Sequence, residues 1–329
     1  MKKFAKIVGM VLGALAALVL LFVGWVQLGW SLERADTPLP TLEASTDPGI
    51  IARGEYLVHA VAHCSTCHGP ADKLKTLQLD PSAPLSGGYD WDIGPFGHFF
   101  APNITPHPDG IGKMSDPELA RTIRHAVGRD GNLVPFMLLA VGPMADGDVV
   151  AIMSWLRAQP AVAGKHPKDE YRFLAKMLSG KFQPRLAPPP AHVAEGGVSV
   201  ERGRYLAEGP AMCKGCHTAA DPMQGFAFVG DAYAGAAEAD PDPTDAKFEI
   251  VAPNLTRDEQ TGITAKWDED RFVQRFAAGR VLRGSKMPWE AFRRMTEDDV
   301  RSVFRYLRSL PPVKNDVGPA RRQVGSFSP

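Results

Sequence analysis

The pattern of apolar and polar positions divides the chain into one long apolar segment and a series of short amphipathic ones. The apolar segment runs from Ile7 to about Trp30, has no charged residue, and follows Lys2, Lys3 and Lys6. Its length predicts a membrane-spanning helix. Because no clean small-x-small cleavage site follows, we interpret it as an uncleaved signal-anchor. The lysines then face the cytoplasm, and everything after residue 31 lies outside the inner membrane.

The amphipathic segments and their end signals predict three helices in each half of the remaining chain. They lie at about 49–62, 115–127 and 146–158, and at about 200–208, 267–278 and 297–309. Ser115 and Glu118 form a capping box, and Thr296 is a good N-cap. Long loops rich in glycine and proline separate the helices. Such loops are unusual in a compact domain and indicate packing on a large planar cofactor.

Four sequence blocks recur in the same order in the two halves. They are Arg-Gly-x-Tyr-Leu at 53–57 and 202–206, Ala-Pro-Asn-Ile/Leu-Thr at 101–105 and 252–256, Gly-Ile at 110–111 and 262–263, and the blocks at 144–160 and 295–311. This order indicates a duplicated domain. We predict an all-α protein with a transmembrane signal-anchor (1–31), a linker (32–47), a first domain (48–160), a linker with a short helix and a proline-rich spacer (161–197), a second domain (198–313) and a tail (314–329).

The four cysteines of the chain form two Cys-x-x-Cys-His motifs, one in each repeat. The motif residues are Cys64, Cys67 and His68, and Cys213, Cys216 and His217. This spacing attaches c-type haem, because two thiols bond one porphyrin edge and the adjacent histidine reaches the iron. Zinc would need four ligands at each site, and a redox dithiol does not need the histidine. The sequence therefore predicts two covalently bound haem c groups.

The second axial ligand decides whether a haem only carries electrons or is open to substrates. No histidine follows His217, so a bis-histidine site within the second repeat is excluded. Met287, in the loop before the last helix, is the predicted ligand; Met223 is too close to the motif, and Met295 fits packing at a helix cap. In the first repeat we predict Met137, in the matching loop. The alternatives left open there are Met144, His98, His107 and His125.

Two further sets of repeated residues have structural interpretations. Gly54 and Gly203 are expected to let the first and last helices of each repeat cross closely. Four aromatic residues are expected to fill those crossings: Tyr56, Trp155, Tyr205 and Tyr306.

The repeated Pro-Asn pairs lie downstream of the haem motifs. The carbonyls of Pro102 and Pro253 are positioned to accept the second ring N–H of the motif histidines, which would fix their tautomer. Asn103 and Asn254 either satisfy loop backbone or bind a haem propionate.

Together these motifs resemble the cytochrome c subunit of membrane-bound bacterial alcohol and sugar dehydrogenases. The resemblance covers both repeats and the stretch between them. It implies tandem class I cytochrome c domains, periplasmic exposure, and electron passage from a dehydrogenase to quinone or to a terminal oxidase. The family subunit usually carries three haem domains and anchors differently, whereas this chain shows two haem domains and an N-terminal helix.

We therefore expect a single-pass, inner-membrane dihaem cytochrome c with both haem domains in the periplasm. It would pass single electrons from a dehydrogenase or respiratory complex to a terminal oxidase or soluble cytochrome, without being an enzyme itself. The alternatives are a dihaem peroxidase-like enzyme with one open haem and a haem-relay subunit of a larger respiratory complex. The formal net charge of zero gives no indication of a nucleic-acid partner.

Overall fold

The computed structural model describes residues 2–70, 83–191, 196–236 and 238–327. Helix α1 (Lys2–Gly29) has 28 residues, and most of its large apolar side chains are exposed. Within the described ranges it is the one helix that is long and apolar enough to cross a membrane. Its position agrees with the predicted apolar segment.

The predicted amphipathic segments are helical. The described α-helices of the first repeat are α2 (Pro48–Tyr56), α3 (Ser65–His68), α4 (Asp116–His125), α5 (Pro135–Ala140) and α6 (Asp146–Ala158), and the linker holds α7 (Phe173–Leu178). Those of the second repeat are α8 (Val200–Glu208), α9 (Cys213–His217), α10 (Glu269–Ala277), α11 (Trp289–Phe292) and α12 (Glu297–Ser309). A π-helical turn (Leu57–Val61) continues α2, and 3-10 turns occupy Ile111–Lys113, Ser179–Lys181, Pro222–Gln224 and Thr264–Lys266.

The helix ends with specific capping chemistry are confirmed. Ser115 and Glu118 form the reciprocal capping box at the start of α4. The Thr296 hydroxyl accepts a hydrogen bond from the Asp299 amide at 3.3 Å at the start of α12. These caps satisfy amide groups that a helix leaves unpaired at its first turn.

Short antiparallel strands lie in the loops, where the sequence did not predict them. The first sheet has the order β1 (Asp90–Asp92), β2 (Gly97–Phe100) and β3 (Glu170–Tyr171), with Trp91 opposite Phe99 and Gly97 opposite Tyr171. β4 (Ala220–Asp221) pairs with β5 (Ala227–Phe228), and β6 (Asp240–Pro241), β7 (Phe248–Ile250) and β8 (Arg321–Gln323) form a third sheet. The all-α expectation therefore describes the helices that carry the motifs and is incomplete for the loops.

The first and last helices of each repeat cross in contact, as predicted. A Cβ atom on Gly54 would lie 1.9 Å from the Ala151 carbonyl oxygen, and one on Gly203 would lie 1.9 Å from that of Ser302. Trp155 flanks the first of these crossings. Tyr306 holds the matching place in the second repeat, so both aromatic residues have the predicted position.

Tyr205 lies in the core and Tyr56 packs against it, as predicted, but the hydroxyl of each reaches into the other repeat. The Tyr56 hydroxyl donates to Asp299 at 2.6 Å, and the Tyr205 hydroxyl donates to Asp148 at 2.6 Å. Each aspartate also accepts a hydrogen bond from an arginine of its own repeat: Arg53 on Asp148 and Arg202 on Asp299. The two repeats are thus joined by a reciprocal pair of tyrosine–aspartate bonds, and one hydrophobic core runs through both.

Replacing Tyr56 or Tyr205 by phenylalanine is expected to lower the free energy of unfolding by about 1.5 kcal/mol each, since each variant loses a hydrogen bond to a charged acceptor. The two losses are expected to be coupled rather than additive, because Arg53, which pairs with Asp148, also lies 5.5 Å from the centre of the Tyr56 ring. Urea denaturation measures both. Tyr171→Phe is the matched control, because its hydroxyl lies 3.4 Å from Asp169 within the linker. A double variant no less stable than this control would show that the bonds do not join the repeats.

The C-terminal end of α1 is bound directly to the linker and the first repeat. Lys176 of α7 donates to Gln27 at 2.7 Å and lies 5.4 Å from the centre of the Trp30 ring. Leu32 is buried, and its carbonyl accepts a hydrogen bond from the Leu133 amide at 2.8 Å. Three residues after α1 ends, the chain is therefore already part of the first repeat.

Candidate haem sites

The Cys-x-x-Cys-His motifs fold in the same way in both repeats. Each lies on a short helix, α3 directly after Cys64 and α9 from Cys213. The residue before the first cysteine has left-handed backbone, with φ of 41° at His63 and 42° at Met212. This conformation ends the preceding helical segment and starts a new one, so that both thiols of a motif lie on one helical turn.

Burial holds the motif thiols in their neutral form. It raises the pKa of Cys64 to about 12, that of Cys67 to about 11 and that of Cys213 to about 12, and it also raises the pKa of Cys216. Redox-active and metal-binding cysteines need thiolates, which electropositive surroundings favour. Cys64, Cys67 and Cys213 are half-buried and Cys216 is exposed, but the raised pKa of all four thiols argues against the redox dithiol that Cys-x-x-Cys spacing alone permits.

The motif histidines are held by identical backbone contacts. Nδ1 of His68 lies 2.9 Å from the carbonyl oxygen of Pro102, and Nδ1 of His217 lies 2.9 Å from that of Pro253. This confirms the contact expected from the Pro-Asn pairs. Burial lowers the pKa of both histidines, so a neutral ring donates through Nδ1. Across the described residues Nε2 has no hydrogen-bond partner and remains available as a metal ligand.

A second repeated contact fixes each proline carbonyl. Asn103 Oδ1 accepts hydrogen bonds from the amide and hydroxyl of Thr105 at 2.9 and 2.8 Å, and its Nδ2 donates to a carbonyl of the segment after α6 at 2.8 Å. Asn254 makes the same bonds with Thr256 at 2.9 and 2.8 Å, and with the segment after α12 at 2.7 Å. The asparagines therefore satisfy loop backbone, which is one of the two roles considered for them.

The candidate methionines occupy related but unequal positions. Met287 lies in the loop just before α11, as predicted, whereas the prediction of a loop position for Met137 is wrong, because Pro135 starts the helix α5 that contains it. Both pack against the core while remaining partly accessible. Met144 and Met295 are buried in the core, in agreement with a packing role, and Met223 is 50% exposed. Ligation by Met137 and Met287 stays a prediction.

The histidine alternatives in the first repeat have other hydrogen-bond partners. His98 Nε2 lies 2.9 Å from Asp90, His107 Nδ1 accepts from the Asp109 amide at 3.1 Å, and His125 Nδ1 contacts the Arg185 carbonyl. The contact of His98 occupies Nε2, whereas those of His107 and His125 occupy Nδ1 and, as in the motif histidines, leave Nε2 without a hydrogen bond among the described residues. These contacts therefore do not decide between Met137 and the histidines.

An arginine donates to the backbone carbonyl of each candidate methionine, which sequence reasoning missed. Arg280 Nη2 donates to the Met287 carbonyl at 3.2 Å. Arg185 donates to the Met137 carbonyl at 3.4 Å, and burial lowers its pKa to about 10, so it remains charged at neutral pH. Arg280 belongs to the second repeat, but Arg185 comes from the linker. Aligning the two repeats could therefore not have shown that these two arginines make matching contacts.

Comparison with known proteins places these features in context. No protein-family model matches the sequence. The chain is 27% identical to the cytochrome c subunit of the quinone alcohol dehydrogenase of Gluconobacter oxydans over 81% of its length, and 28% identical to the gluconate 2-dehydrogenase cytochrome c subunit of Pantoea cypripedii over 79%. It spans 56% and 59% of those two proteins. A diheme cytochrome c-type protein of Cereibacter sphaeroides is 28% identical over 81% of the chain and 88% of that protein.

The chain resembles dehydrogenase cytochrome c subunits. Its motif residues also fit a covalently bound haem c. Each motif offers two neutral thiols on one helical turn, next to an imidazole whose Nδ1 is fixed and whose Nε2 is open. That donor set matches thioether attachment with an axial histidine. In this cytochrome-like chain, Cys64 and Cys67 would hold one haem with His68 as ligand, and the second motif would hold the other.

Proposed function

We propose that this chain is a membrane-anchored dihaem cytochrome c that passes single electrons from a dehydrogenase or respiratory complex to a downstream acceptor. The observation that carries the proposal is the duplicated motif in which the histidine Nδ1 lies 2.9 Å from a proline carbonyl in both repeats. When bound, haem iron supplies reversible one-electron oxidation and reduction.

The protein's own residues provide attachment, orientation and burial. The cysteines fix the porphyrin edge, and the bond from Nδ1 to the proline carbonyl orients the imidazole and increases its basicity as a ligand. The asparagine contacts hold the loop that carries this carbonyl. Such fixed ligands favour electron transfer without rearrangement.

The similarity to subunits of alcohol and gluconate dehydrogenases supports a dehydrogenase as the electron donor. We place α1 across the inner membrane, with its lysines in the cytoplasm and both repeats in the periplasm, by the positive-inside rule. The contacts of Lys176 and Leu32 would then hold the first repeat close to the membrane surface.

Haem content and carbon monoxide binding test the proposal. Protein purified from native membranes should carry two haems per chain by mass, and a variant with both Cys213→Ala and Cys216→Ala should carry one. The reduced wild-type protein should not bind carbon monoxide. Rapid, stoichiometric binding at one haem would instead support the peroxidase-like alternative. Co-purification with a dehydrogenase would identify the donor, and recovery only as a monomer would count against a relay subunit.

Met287→Ala is expected to open the second haem to carbon monoxide and to lower its reduction potential, because methionine ligation raises the potential. Optical titration of the reduced and oxidised protein measures both effects. Met223→Ala is the matched control, since that side chain is 50% exposed and should leave the spectrum unchanged. An unchanged spectrum in Met287→Ala would show that another residue is the ligand.

A further inference from the structure

The two arginines at the candidate methionines differ in their charge partners. Arg280 binds Glu290 through Nε at 2.8 Å and Nη2 at 2.6 Å, with the two side chains 15% and 20% exposed. The positive charge of Arg280 is thus neutralised by Glu290, which lies three residues after Met287 in the sequence.

Arg185 binds carbonyl oxygens instead. Its guanidinium donates to the backbone carbonyls of Ile123, Arg124, Met137, Leu138 and Val141. In the part of the chain that the structure describes, no carboxylate lies within ion-pair distance of it. Arg185 therefore places a positive charge, without a counter-ion among these described residues, against the backbone of α5, where Met137 lies.

The other cations near these helices that are shielded from water balance between the repeats. Arg121 donates to the Gly128 carbonyl at 2.6 Å in the first repeat, and Arg275 donates to the Gly279 carbonyl at 2.7 Å in the second. Among the described residues neither has a carboxylate within ion-pair distance. Arg124 is paired with Asp146. Arg283, Arg293 and Arg294, near Met287, are exposed to water, which weakens the effect of their charge. The shielded positive charge that distinguishes the two repeats is that of Arg185.

We propose that Arg185 raises the reduction potential of the first haem above that of the second, so that electrons shared between them reside mainly on the first. The inference rests on the proposed two-haem function with Met137 as ligand. A nearby cation favours the ferrous state, which carries one positive charge less than the ferric state, and the effect is strong where water is excluded. One electron passes from the ferrous second haem to the ferric first haem, and no proton is transferred.

The test is optical redox titration of the full-length, haem-loaded protein. Arg185→Gln should shift the electron-sharing equilibrium about tenfold toward the second haem, which corresponds to about 59 mV for a one-electron couple. Glu290→Gln should shift it in the same direction by raising the potential of the second haem, because Arg280 is then no longer neutralised. Arg185→Lys should retain most of the wild-type difference. Met287→His should lower the reduction potential of the second haem alone. It therefore shows which of the two redox transitions belongs to which haem.

Each outcome bears on the charge itself rather than on haem binding. If Arg185→Gln and Glu290→Gln both leave the two potentials unchanged while both haems are present, the proposal is wrong although the proposed function stands. Equal shifts of both haems would also overturn it. Carbon monoxide binding shows whether Arg185→Gln disturbs methionine ligation. If it does, the shift in Glu290→Gln alone tests the proposal, and no shift in that variant overturns it. A protein with fewer than two haems would contradict the proposed function instead.

Discussion

Replacing Asp299 by alanine is expected to lower the free energy of unfolding by about 3–5 kcal/mol, the cost of removing one partner from a buried ion pair. The Asp299 side chain is 1% exposed and that of Arg202 is 4% exposed. The aspartate also accepts the Tyr56 hydroxyl at 2.6 Å. The variant therefore takes a carboxylate away from a buried guanidinium and a hydrogen-bond acceptor away from the other repeat. Chemical denaturation of the haem-loaded protein measures the loss.

Asp270→Ala is the matched control for this variant. Asp270 lies 2.7 Å from Arg301 and so also forms an ion pair, but its side chain is 72% exposed. Exposed pairs contribute about 0–1 kcal/mol, so the control should remain close to wild type. If Asp299→Ala cost no more than Asp270→Ala, the pair would not stabilise the junction. Asp299→Asn removes the negative charge but keeps the side-chain size and an oxygen acceptor for Tyr56. It therefore measures the contribution of the charge to stability separately from that of packing.

Gly203→Ala is expected to destabilise the second repeat by about 2 kcal/mol. The added Cβ would lie 1.9 Å from the Ser302 carbonyl oxygen and 2.4 Å from its carbon. These are backbone atoms, so α8 and α12 must separate to accommodate it. Alanine is favoured over glycine in a helix by about 1 kcal/mol, and overpacking of a well-packed core costs about 1–3 kcal/mol, occasionally more. Because the overlap is with backbone, we expect the steric cost to exceed the helix gain clearly.

Gly180→Ala is the control for Gly203→Ala. An added Cβ at Gly180 would meet no atom within 4 Å, and its backbone is not in the left-handed region. This substitution should be neutral or stabilising by up to about 1 kcal/mol, because it reduces the entropy of the unfolded chain. Thermal melting followed by circular dichroism compares the two variants. Equal melting temperatures for Gly203→Ala and wild type would show that the helices do not cross at this point.

The two predictions have a common consequence for electron transfer. The helix crossings set the shape of each repeat, and the reciprocal tyrosine–aspartate bonds set how the repeats face each other. Haem positions depend on both, since the motifs follow directly on α2 and α8 in the chain. A variant that loosens the junction is therefore expected to change the rate of electron exchange between the haems while leaving haem attachment unchanged.

Local chemistry is what the sequence by itself determined. The cysteine spacing, the repeated Pro-Asn pairs and the capping residues act over a few positions, so their contacts could be predicted from neighbours in the chain. The close crossings at Gly54 and Gly203 were predictable for a related reason. The duplication shows the same small residue twice, at the same distance from the motif.

Tertiary structure alone decided the contacts between distant segments. Tyr56 was expected within its own repeat, but its hydroxyl meets Asp299, 243 positions away. The repeat pattern is identical for a contact within one copy and a contact exchanged between copies, so it could not distinguish them. Arg185 gave no signal at all, because the linker has no counterpart in the duplication. Its carbonyl partners are backbone groups, which every sequence offers and only the folded chain brings together.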